Sequence, residues 1–346
     1  MASSLLASGP AVLALPAPTP GRMAGTWQAD PFGIAAVVLL GGLYGWGVLR
    51  AGRRGHRWPA VRAGAFAVLG LGTIAVATMS SLAVYGRVLF WPAAVQNILL
   101  DLVAPLGLAL GDPLALARLA LPGRAADRLG RVLRGRVLRV LTFPVISTVL
   151  VLASELSVYF TPYFETALRS GAVHSLLYLQ LLLTGCLFVL PMLSREELLP
   201  AWCTHPLRAL FVFVDGLVDA IPGILVMTSG TRIAAGWYAA RQPGWGPGPD
   251  RDQVLGGGLM LGIAELVGLP FLIAVFAEWV RADRVRTAEL DRRLDAEAAL
   301  AAPPREATPA EAPAPGPVPV PEVTRPWWET DQGVVGERFR QGRGTR

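Results

Sequence analysis

Seven apolar runs in this chain are long enough to cross a bilayer, at about residues 32–50, 62–85, 88–111, 143–161, 172–193, 206–229 and 254–280. Hydrocarbon offers no water to backbone N–H and C=O groups, so each run must satisfy its own. The runs are continuously apolar rather than alternating, which selects helix over strand. The sequence therefore predicts an all-α fold, a polytopic membrane bundle of about seven transmembrane helices. Composition agrees. The chain is 53% hydrophobic and 16% charged, whereas a soluble domain carries about a quarter charged residues.

The arginines set direction. Arg50, Arg53, Arg54, Arg57 and Arg62 lie around the connection between the first two spans. Arg118, Arg124, Arg128, Arg131, Arg134, Arg136 and Arg139 follow the third, and Arg195 and Arg208 follow the fifth. The opposite connections are poorer, with Arg87, then Arg169, then Arg232, Arg241 and Arg251. The positive-inside rule places the N-terminus outside and the C-terminus in the cytoplasm, as expected for a multi-pass membrane protein with an odd number of spans. The net charge of +6 thus reads as topology. No interleaved aromatic and basic patch points to nucleic acid. Anionic lipid is the expected partner of the arginine-rich cytoplasmic loops.

Three regions follow. Residues 1–30 read as a flexible outer lead rather than a cleaved signal, because they lack a basic start and contain early prolines. Residues 31–281 form the transmembrane domain. Within it, Leu129, Val132, Leu133, Val137 and Leu138 recur beside a basic face, which predicts a cytoplasmic surface helix at 114–139. Residues 282–346 begin as a charged helix continuing the last span. They then become a Pro/Ala-rich tail that cannot bury enough surface to fold. Cys186 and Cys203 make no CxxC pair and read as small apolar residues.

Ionisable groups inside spans are functional candidates. They are Asp101, Glu155, His174, Asp215, Asp219 and Glu265. Ala93, Asn97 and Asp101 follow i, i+4, i+8 spacing on one helix face, with Gln96 adjacent. Pro105 weakens the backbone ladder just beyond them. Interhelical hydrogen bonding is the plainer role for that face. Asp215 and Asp219 stack at i, i+4. Their repulsion would be relieved by a cation, by proton uptake or by an arginine partner. Asp252 is placed to cap the last span, and Gly256, Gly257 and Gly258 permit close helix approach. No GxSxG, HExxH or phosphate loop occurs, and His56, His174 and His205 are scattered. An enzyme is not expected.

The order of these features resembles a known family, the cytochrome c oxidase assembly factor CtaG of bacterial caa-type oxidases. The likeness runs from about Ala60 to Trp279. The family's third span reads HMxQHxLLxxxxPxLLxLGxPL; residues 93–114 here read AAVQNILLDLVAPLGLALGDPL. Gln96, Leu99, Leu100, Pro105, Gly111, Pro113 and Leu114 fit. His174 fits an outer-end histidine of the fifth span, and Asp252, Gln253 and Gly257 fit the DQxxxG start of the seventh. The resemblance implies assembly of a respiratory heme-copper oxidase, with oxidase subunits as partners and copper as the metal handled toward the copper B centre. Histidine and methionine suit Cu(I), so His174 and Met260, with Met227 behind them, are the metal candidates. Asp252 and Gln253 would shape the outer mouth. Ala93, Asn97 and Tyr178 stand where the family carries histidine, as does Tyr159 or Phe160 by alignment. Either copper binding is lost or its ligands have moved. A metal-free scaffold is then one reading. A small-solute or ion permease using the buried carboxylates is another.

Overall fold

The computed structural model describes residues 15–193, Cys203 and 205–301. Arg195, the first residues of the lead and the Pro/Ala-rich tail lie outside them. The chain forms two compact units, Met1–Glu289 and Leu290–Arg346. The first holds every transmembrane segment; in the second, the described residues are helical up to Ala301. No strand occurs among the described residues.

Short helix α1, Pro20–Gly25, precedes α2, Pro31–Arg53. The Asp30 side chain accepts from Gly33 N, and Pro31 sits where a missing N–H is harmless. The second span contains α3 (Ala60–Ala65), a π-helical turn (Phe66–Leu71), α4 (Gly72–Met79) and, past a break at Ser80, α5 (Ser81–Tyr85). The third contains α6 (Phe90–Ile98), a π-helical turn (Leu99–Val103) and α7 (Ala104–Leu110). Pro105 causes the second π turn. It has no N–H for the Asp101 carbonyl four residues back, and Ala104 N reaches five residues back to Leu99 O.

Segment 113–141 is not one amphipathic helix. Pro122 and Gly135 divide it into α8 (Pro113–Ala120), α9 (Gly123–Leu133) and α10 (Arg136–Leu141). Leu133 is buried, while Val132 and Val137 stay exposed.

The fourth span also differs from expectation. Helix α11, Pro144–Phe160, has 17 residues, roughly 26 Å at 1.5 Å per residue and short of the hydrocarbon core. It breaks at Thr161–Pro162 and continues, bent by 66°, as α12, Tyr163–Arg169. Among the described residues six helices are long and apolar enough to cross a membrane, and this broken pair, counted as one span, makes seven. Three helices complete the bundle. They are α13 (Gly171–Leu193), α14 (His205–Thr228) and, after the short α15 (Ala235–Ala239), α16 (Pro249–Ala301).

The third span is the hub. Its apolar window is 78% buried, against 11% for the first span, so other helices pack around it. The described part of the lead is tied down rather than free. Tyr85 donates its hydroxyl to Pro16 O at 3.0 Å, and Trp245 Nε1 donates to Leu15 O at 2.8 Å. These large side chains bury their rings and need acceptors for their polar ends.

Candidate functional site: the polar core around the third span

The polar residues of the third span point inward and find partners on other helices. Asn97 Nδ2 donates to the Tyr159 hydroxyl at 3.1 Å. Gln96 donates its amide N–H to the Tyr178 hydroxyl. Tyr159 is buried whereas Phe160 is 44% exposed, so Tyr159 is the residue of that pair that faces the core. The rings of Phe90 and Phe164 pack against it, and Tyr238 packs on Phe90.

His174 continues the chain of bonds. Its Nδ1 lies 3.3 Å from Ala167 O and its Nε2 lies 2.6 Å from the Tyr178 hydroxyl. A carbonyl can only accept, so Nδ1 carries the proton and Nε2 offers its lone pair to the Tyr178 O–H. The order is Gln96 amide to Tyr178 hydroxyl to His174 Nε2. A metal-binding histidine also donates through its other nitrogen. The orientation thus suits a ligand, but the ligating lone pair is occupied by a phenol.

One turn further in sit the carboxyls. Asp101, Glu155 and Asp215 are buried, and Asp219 is half-buried. Thr184 Oγ1 lies 3.1 Å from Asp101 Oδ1, and the Thr148 hydroxyl bonds Asp215. Asp215 is satisfied by that hydroxyl, with no arginine bonded to it among the described residues. Helix α13 reaches the π turn through Gly185, where an added Cβ would sit on the Asp101 carbonyl and 2.7 Å from Pro105 Cγ. Glu265 does not join this group; it lies on the exposed side of α16.

Asp252 and Gln253 act at the N-terminal end of the third span. Helix α16 starts at Pro249, so Asp252 falls within its first turn and does not cap it. Its carboxylate instead accepts from Phe90 N at 2.7 Å and Trp91 N at 3.0 Å, capping the third span. Gln253 Oε1 accepts from Ile233 N at 2.9 Å, and its Nε2 donates to Val226 O and Thr231 O, each at 3.1 Å. The glycine run after them lets helices meet closely. A Cβ on Gly257 would lie 2.7 Å from both Gly223 O and Met227 Cγ.

The sequence matches the family model described as cytochrome c oxidase caa3 assembly factor (Caa3_CtaG) over residues 42–282. The chain belongs to this family. An uncharacterized protein of Mycobacterium bovis is 31% identical over 289 residues, covering 81% of this chain and 43% of the relative. An uncharacterized protein of Mycobacterium tuberculosis gives the same figures. One of Mycobacterium leprae is 29% identical, covering 78% and 42%. The chain spans less than half the length of these curated relatives. No solved structure matches.

Among the described residues no three His, Cys, Asp or Glu side chains converge to hold a metal ion. Met260 is 2% exposed within the main apolar core. Cys186 and Cys203 are free thiols. Three residues that complete the core, Thr148, Thr184 and Gly185, carry no strong signal in the sequence. Hydroxyls and glycine inside apolar spans were their only trace.

Proposed function

We propose that this chain is an integral membrane assembly factor for a respiratory heme-copper oxidase, acting on oxidase subunits in a bacterial inner membrane with its N-terminus outside. Family membership supports the oxidase. The observation that carries the rest is the Tyr178 hydroxyl on His174 Nε2. With that lone pair engaged, the outer polar core favours a scaffold over a metal store. Copper enters as cargo. Turning the Tyr178 hydroxyl away would free Nε2 as one donor toward the copper B centre, with the remaining donors supplied by the partner. Met260 would first have to leave the packed core. Asp252 and Gln253 hold the outer mouth in shape, and the arginine-rich loops rest on anionic lipid.

The test is the reduced-minus-oxidised spectrum of membranes from a strain lacking the protein, with and without added copper. Loss of the heme a signal that copper does not restore is the expected result. Restoration by copper would make delivery the main role. An unchanged spectrum would overturn the oxidase reading and leave a small-solute or ion permease, for which the buried carboxyls are the motive.

A further inference from the structure

Asn97 and Tyr159 bond across two antiparallel helices. Asp101 lies four residues after Asn97 and Glu155 four before Tyr159. The two carboxyls therefore sit together, one turn deeper. Thr148, seven residues before Glu155 on α11, bonds Asp215, and Asp219 follows Asp215 by one turn, so α14 brings two more carboxyls alongside α11. No salt bridge among the described residues involves any of the four carboxyls.

Two of the four have a hydroxyl partner: Asp101 has Thr184 and Asp215 has Thr148. Glu155 is 4% exposed and accepts no hydrogen bond from the described residues, although it lies on α11 one turn from Tyr159, which bonds Asn97. An unpaired carboxylate there would cost several kcal/mol or more, so the cluster must take up positive charge. A dehydrated metal ion needs several oxygens on one point, and no three of these groups converge in that way. A proton needs one carboxyl.

We propose that Glu155 is a reversible proton-binding site, shared with Asp101. The outer side is closed by the Asn97–Tyr159 bond and by the rings of Phe90, Phe164 and Tyr238. The site does not depend on the oxidase reading, and its failure would leave that reading intact.

The test uses the full-length protein in phosphatidylcholine vesicles treated with dicyclohexylcarbodiimide. This reagent modifies a carboxyl that carries its proton. The proton passes to a carbodiimide nitrogen and the carboxyl oxygen adds to the carbodiimide carbon, with no leaving group. Mass spectrometry should find the adduct on Glu155 at neutral pH. The adduct should fall away at high pH, be unchanged by sodium or potassium chloride, persist in D101N and be lost in E155Q. Protection by sodium would overturn the proposal in favour of a cation site. An adduct confined to Asp215 or Asp219, or none at all in wild-type protein, would also overturn it.

Discussion

Asp252 caps a helix that begins 162 positions earlier in the chain: its carboxylate accepts the backbone N–H of Phe90 at 2.7 Å. The second oxygen takes Trp91 N at 3.0 Å. Two orphan donors at the head of the buried central span are thus satisfied, and a negative charge faces the positive end of its dipole. D252A should lower stability by about 1–2 kcal/mol, with D252N losing less because one acceptor oxygen remains. Thermal unfolding in detergent measures both.

Gln253 holds the loop after α14 through Ile233 N and the carbonyls of Val226 and Thr231. Q253A leaves the buried Ile233 amide without its acceptor. A destabilisation of about 1–3 kcal/mol is expected. The specific sign is faster hydrogen exchange at the Ile233 amide, with exchange in α11 unchanged.

Gly185 allows α13 to touch the π turn at Asp101, and any larger residue must push the helices apart. G185V should destabilise by about 1–3 kcal/mol or more through overpacking. Gly262 has open space around it, so G262A should stay within about 0.5 kcal/mol of wild type. Equal effects of the two variants in parallel melts would refute the close-approach account.

Tyr178 donates to the one lone pair that His174 could give a metal. Y178F removes that competitor while keeping the ring. Cu(I) affinity in a competition titration should rise about tenfold, the scale on which neighbouring groups tune metal sites. H174A should abolish the gain. No change in Y178F would mean that His174 is not a copper donor.

Hydropathy made the helical bundle legible, because every span must satisfy its own backbone in hydrocarbon whatever its neighbours do. The inward polarity of Gln96, Asn97 and Asp101 was legible too, from their place in an otherwise apolar run. Partners were not. Asp215 and Glu265 are both carboxylates in apolar helices. One is buried against Thr148 and the other exposed on α16, a difference of helix rotation that the residue types do not encode locally. The fourth span read as ending at 161, and its bent continuation as α12 was not legible, because hydropathy does not register a bend at Pro162. The sequence by itself determined which segments are helices and which of them carry polar groups, since both are properties of a run of residues. Only the tertiary structure decided that Asp252 serves the third span, that Tyr178 occupies His174, and that Glu155 faces Asp101. Each of these depends on which helix faces which, and at what height.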